Sequence, residues 1–456
     1  MINRLLFLIL VIIYAVINHV RMVQSQDNGW AGHELLGKYP YESFENPKKC
    51  LSCHTQIYRQ WEQSMMSQAF THHWDEIEYF ELAVSHAERF PELKDVVDGC
   101  NGCHAPLSYM AGDVTPPRPE KNSRANESVS CDICHTITGF KGDDPVNFNY
   151  TINPGRRKYG NREGVKSPEH ITEYSEFIKQ TELCGTCHNE KSPFDVWVKS
   201  TQLEWKEGPY GEQDVRCHRC HMPQAPGKSA KMSEYHEDIA QHLFHGAHVF
   251  SKINGSVEIL IQPDVRETEP DFPVVLTVEL FNGKCGHKIP SGSVEDRIMW
   301  LHVEAVDSNG ETYHLSVDKK GFEGEEYTIA SDVLAYKDFK YIMGLSDDYK
   351  GLRREDVPIG DRIFRMPYFD PEGNVTICQW NTKSLGTDYR IGPRETKIET
   401  YTWNLPDDMP EGMVKVTASM YYRKLVKPVG DYLKVPDDET EAILINKAET
   451  EFEVYY

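Results

Sequence analysis

The spacing of apolar residues divides the chain into three stretches. Residues 5–17 form an unbroken apolar run of 13 behind a basic start at Arg4. That is short for a spanning helix and matches the core of an export signal. Residues 1–25 therefore read as a signal peptide, with Val23 and Ser25 at the cleavage positions. An uncleaved anchor is the alternative, because His19 and Arg21 are unusual there. From about 26 to 250 the pattern gives short helices and loops. Ile57, Trp61 and Met65 recur every four residues, as on one helix face. The Gly-, Pro- and Asp-rich stretches 112–119 and 142–145 read as loops.

Beyond about residue 255 the period changes to two. Val257, Ile259 and Ile261 alternate with other positions, as do Val274, Leu276, Val278 and Leu280. Met299, Leu301, Val303 and Ala305 follow, then Tyr313, Leu315 and Val317, then Val414, Val416, Ala418 and Met420, and finally Phe452 and Val454. Such runs, broken by turns such as 307–310, predict antiparallel strands in a sandwich. Residues 320–385 are irregular and rich in Asp, Gly and Tyr, which predicts an insertion or long loops. The expected fold is α+β and multidomain: a helix- and loop-rich domain over 26–250, then an antiparallel β-sandwich-like domain over 251–456.

Composition changes this picture in two ways. Hydrophobic residues make up only 39%, below the usual globular share, which does not argue for disorder if a bound apolar group supplies the missing volume. The formal net charge is −22, which disfavours nucleic acid and anionic membrane and suits basic partners or divalent cations. A solvated surface is the ordinary reason for such acidity. No second long apolar run occurs, so no membrane span is expected once the signal is removed.

Cysteine placement names the cofactor. Cys-x-x-Cys-His occurs five times, at residues 50–54, 100–104, 131–135, 184–188 and 217–221. Each is a signature of c-type haem attachment: two thiols for thioether bonds and a histidine for the iron. Zinc sites also use Cys-x-x-Cys, but the repeated terminal histidine and the export signal favour haem. Five covalent haems c are expected on Cys50, Cys53, Cys100, Cys103, Cys131, Cys134, Cys184, Cys187, Cys217 and Cys220. His54, His104, His135, His188 and His221 are the proximal ligands. Intervals of 50, 31, 53 and 33 between motif starts alternate, which suggests haems in close pairs. Haem attachment outside the cytoplasm agrees with a periplasmic or extracellular location. Cys285 and Cys378 lie outside the motifs and are either a disulfide or two free thiols.

The sixth iron position decides the chemistry. Fourteen of the nineteen histidines are not proximal. His170, His242 and His287 lead as distal ligands, followed by His86 and His248, with His72 and His73 also in reach. Met66, just past the first motif, is a thioether candidate that would raise the potential. His218, inside the fifth motif, is expected to be exposed.

Flanking residues carry a resemblance. After the first motif come Tyr58, Trp61, Ser64, Met66, Ser67, Gln68 and Ala69. The second continues as Ala105, Pro106 and Leu107, and Ser128, Val129 and Ser130 lead into the third. Leu183 and Asn189 bracket the fourth, with Thr201, Glu204, Trp205, Pro209 and Tyr210 behind it. Met222 and Pro223 close the fifth. In the β region Gly286, His287, Pro290, Ser291, Gly292 and Arg297 form a further segment. Over roughly residues 45–430 this resembles the multihaem cytochromes c related to the electron acceptor of hydroxylamine oxidoreductase, a group that includes extracellular filament-forming cytochromes. The resemblance implies electron transfer through stacked haems, and a His287 that reaches back to one of them. The family's distal histidine after the first motif is replaced here by Met66.

Two functions from different classes follow. The leading one is a non-enzymatic carrier that moves electrons from haem to haem and hands them to redox partner proteins, with self-association into a filament or oligomer as a variant. A 200-residue domain has a radius of gyration of about 16 Å, so five haems within it are close. The alternative is a multihaem oxidoreductase acting on a small nitrogen or sulfur compound at one open haem. The first haem, with Tyr58, His72 and His73 nearby, is the expected place for it. The Cys-x-x-Cys-Lys motif of pentahaem nitrite reductases is absent from the chain. An adhesive β-sandwich module is a third reading, and it leaves five haems unexplained.

Overall fold

The computed structural model describes residues 31–322, 325–326 and 333–456. The expected signal peptide or anchor over 1–25 lies outside the described residues. Among the described residues no helix is long and apolar enough to cross a membrane.

In a helix, positions i, i+3 and i+4 share one face, so Cys-x-x-Cys-His projects all three side chains together. Every motif accordingly lies on or runs out of a short helix. These are α1 (Pro47–Leu51), α5 (Lys94–His104), α6 (Cys131–Cys134), α7 (Thr181–His188) and α9 (Cys217–His221). Asn46 starts α1 by accepting the Lys48 N–H at 2.9 Å, with Pro47 in the first turn. The next helix, α2 (Thr55–Glu62), buries Tyr58 and Trp61. It stops before Ser64, so Met65 starts a separate helix, Met65–Gln68, instead of extending the expected face. Further on, α3 (His73–Ile77) and α4 (Ser85–Arg89) are joined through a π-helical stretch, Glu78–Val84. Wide turns of this kind collect at functional sites.

The β region begins at Glu258. One sheet runs β7–β3–β1, from Thr396–Asn404, Pro273–Phe281 and Glu258–Pro263. The larger runs β2–β9–β8–β4–β5, from Glu267–Thr268, Ile443–Val454, Gly412–Arg423, Ile298–Val306 and Thr312–Leu315. A further strand, β6 (Arg362–Phe364), also pairs with β4. The period-two residues meet between the sheets: Val274, Leu276, Val278, Leu280, Leu301, Val303, Val414 and Val416 share one core and are fully buried.

One expectation is corrected. Residues 320–385 are not simply loops, because Arg362–Phe364 extends the larger sheet and Phe339–Ile342 is helical. Ala335, Phe339, Ile377 and Trp380 share a core with Phe70, Trp74, Tyr79 and Leu82 of the helical region. Strand β7 escaped the periodic reading because its inward Glu399 is charged and its outward Ile398 is apolar and 59% exposed. Glu399 is paired with the buried Arg362 at 2.9 Å, as a buried carboxylate requires. Cys285 and Cys378 are both free thiols.

Candidate functional site

A histidine that ligates a metal through Nε2 usually donates its Nδ1 proton elsewhere, which fixes tautomer and ring direction. Four of the five motif histidines have such a partner at 2.7 Å. His54 Nδ1 meets the Ser229 carbonyl, His104 that of Ala69, His135 that of Tyr159 and His221 that of His245. The fifth, His188, is exposed; desolvation by the surrounding protein, and after it His221, lowers its pKa to about 4. Burial also lowers His221 to about 4.

Two motif histidines face a second imidazole. His54 and His170 have centroids 6.3 Å apart with planes 25° from parallel. His135 and His242 have centroids 6.2 Å apart with planes at 22°. A metal–imidazole bond of about 2.0 Å on each side, with each ring nitrogen about 1.1 Å from its centroid, sets coaxial centroids about 6.2 Å apart. Both centroid separations match that figure. His242 donates Nδ1–H to the Ala240 carbonyl at 3.0 Å, which again leaves Nε2 free.

The loop that carries His287 is held by a clamp. Glu204, on α8 (Thr201–Lys206), accepts the Lys288 N–H at 3.1 Å and pairs with buried Arg390 at 2.8 Å. Thr201 Oγ1 meets Ser291 Oγ at 2.8 Å, and Tyr210 donates to the Gly283 carbonyl at 2.6 Å. The loop carrying His287 is thereby tied to the segment behind the fourth motif. His287 is the largest charge influence on His221, and its Nδ1 meets the Lys288 carbonyl at 2.8 Å.

The other named histidines sit elsewhere. His86 is buried, and Trp380 Nε1 donates to its Nδ1 at 3.0 Å, which puts the ring proton on Nε2. That position suits a core contact and not an iron ligand. His248 packs edge-on against His72, 4.9 Å between centroids, and both lie beside Glu439. Burial alone would lower the His72 pKa, but its bonds to Asp75 and Glu439 outweigh it and raise the value to about 9. His73 is exposed. His218, expected to be exposed, is half-buried. Met66 is half-buried on its four-residue helix, where its carbonyl accepts the Val129 N–H at 3.0 Å.

The motif thiols show how the centres adjoin. Cys50 lies against Cys131, Cys103 against Cys187 and Cys184 against Cys217. The first centre thus neighbours the third, the second the fourth, and the fourth the fifth. Of these, only the last pair is separated by a short sequence gap.

At the second motif a partly open cavity of about 80 Å³ is lined by Cys100, Cys103 and His104. His104 is its one lining histidine among the described residues. Glu78, Lys199, Gln379 and Trp380 also line it. Burial, and after it Asp296, pushes the Glu78 carboxyl well above the usual range. Glu78 Oε1 is buried without a hydrogen-bond partner. Lys199 pairs with Glu190 at 2.7 Å and donates to Gln379 at 2.8 Å. None of these four residues was singled out from sequence. Trp380 lies in the stretch 320–385 expected to be loops, and Glu78 in a segment with no motif, so neither carried a signal of its own.

Paired imidazoles, Nδ1–carbonyl bonds and a cavity lined by motif thiols fit covalent haem. Residues 49–136 match the family described as Cytochrome c554 and c-prime. No curated protein matches the sequence. The fold is similar to that of a penta-haem cytochrome c552 from Thermochromatium tepidum: TM-score 0.60, 18% identity, covering 91% of this chain and 100% of that one. A CARDB domain from Pyrococcus furiosus is matched at TM-score 0.18 and 11% identity, over 44% of this chain and 91% of that one. The N-terminal domain of a Streptococcus gordonii adhesin is matched at TM-score 0.19 and 10% identity, over 44% and 33%. At those scores neither carries an argument.

Proposed function

We propose that this chain is an exported pentahaem c-type cytochrome that carries electrons to and from redox partner proteins, in the periplasm or outside the cell. The facing imidazoles of His54 with His170 and His135 with His242 carry this reading. Iron held between two histidines has no vacant position for substrate, as a carrier requires. Bound haem supplies a one-electron iron couple at each centre. The chain's own residues do the rest. Ten motif cysteines fasten the groups, the carbonyls of Ser229, Ala69, Tyr159 and His245 orient four proximal rings, and the Glu204 clamp delivers His287 to the fifth centre. Mass spectrometry of the mature protein should show five haem additions, and its oxidised spectrum should be dominated by low-spin iron. Bare thiols, or a spectrum mostly high-spin, would overturn the proposal.

One observation favours the second reading, a multihaem oxidoreductase. The second centre's cavity has a single histidine in its wall and holds the buried Glu78 carboxyl beside Lys199. A neutral carboxyl there could donate a proton. The place for such chemistry is therefore the second motif and not the first. Cyanide or nitrite added to the oxidised protein tests it: a spectral shift from about one haem in five supports an open site, and none removes it.

A further inference from the structure

The larger sheet carries a second group of ligating side chains, away from the haem motifs. His302 on β4 and His314 on β5 project from the face opposite the sandwich core, since Leu301, Val303 and Ala305 face inward. β4 pairs with both β5 and β6 along one edge. Where β6 begins, Leu301 faces Arg362, which brings Asp361 beside His302. Register places His314 opposite Glu304, two residues further along β4.

The three side chains converge. His302 Nδ1 is 2.9 Å and His314 Nε2 2.7 Å from the same oxygen, Asp361 Oδ1. The two rings stack at 4.8 Å with planes 17° apart, so both nitrogens approach the carboxylate from one side. Asp361 is fully buried, and its ion-pair partners among the described residues are these two imidazoles. The adjacent Arg362 turns away to Glu399. A buried carboxylate needs a compensating positive charge. Here it comes from protonated imidazole or from a cation bound in its place. The other nitrogen of His302, Nε2, is 3.8 Å from Glu304, the kind of outer carboxylate that orients metal-bound histidines.

We propose that His302, His314 and Asp361 form a binding site for a divalent transition metal of the zinc class. Two imidazoles and a carboxylate are a common donor set for this class, with the remaining position open to water. The three ligating atoms already lie within 4.8 Å of one another, so a small outward movement makes room for the ion. His314 is exposed, which gives the ion a path from solvent. The donors come from β4, from β5 and from the residue that leads into β6, so an ion there also pins β5 and β6 to β4.

The test uses the holoprotein. It is stripped with a chelator, equilibrated with Zn²⁺ against a weak competing chelator, desalted, and assayed for zinc per chain by plasma mass spectrometry. The wild type should hold about one zinc more than Asp361→Asn or His314→Gln. Replacing exposed His314 leaves the fold intact, and an unchanged haem spectrum verifies this. Equal zinc in the wild type and in His314→Gln overturns the proposal, as does a wild type that retains none.

Discussion

Single side chains decide what each iron can do. His170→Ala should open the first centre and convert about one haem in five to high spin, read by optical or electron paramagnetic spectra. His242→Ala should do the same at the third. Met66→Leu should leave the spectrum unchanged, because His170 is the proposed ligand opposite His54 and lies 6.3 Å from it between ring centroids. His72 gives a prediction about pH. Its unfolded value is 6.5 and its folded value about 9, so its stabilisation is complete below pH 6.5 and is lost as pH rises through about 9. Thermal melts between pH 6.5 and 9.5 should lose roughly 1–3 kcal/mol more in the wild type than in His72→Gln. An equal loss in both would remove His72 as the cause.

At the scale of elements, the variable positions inside the motifs are not free. A Cβ on Gly102, between the cysteines of the second motif, would lie 2.4 Å from the buried Phe148 ring. On Gly185 in the fourth motif it would lie 2.7 Å from Pro145. Gly102→Ala should therefore cost about 1–3 kcal/mol by overpacking, seen as a lower melting temperature or a lower yield of fully haem-loaded protein. Strands whose inward positions are aliphatic were legible from their period, as β3, β4 and β8 show. β7 was not, because Glu399 faces inward and is acceptable there only with Arg362 opposite. Periodicity registers side-chain type and is blind to partners supplied from another strand.

Across the whole molecule the two regions interlock. Trp380 and Gln379 reach from the β region into the cavity beside the second motif, and Glu204 of the helical region holds the loop of His287. Glu204→Gln should weaken the clamp by about 1–3 kcal/mol, since Arg390 keeps Asp388 at 2.8 Å as a second partner. The same change should alter the spectrum of about one haem in five by freeing His287, whereas an unchanged spectrum would separate the clamp from that ligand.

Sequence by itself determined the five Cys-x-x-Cys-His motifs, whose thiols and imidazole, three and four residues apart, are gathered by one helical turn. It also determined most of the sandwich, because burial between two sheets imposes a period of two. Tertiary structure decided the rest: that His54 faces His170, that His135 faces His242, that the second centre has a cavity with one histidine, and that the first centre adjoins the third. Those pairings join residues far apart along the chain. Distance along the chain says nothing of distance in space until packing has fixed which surfaces meet.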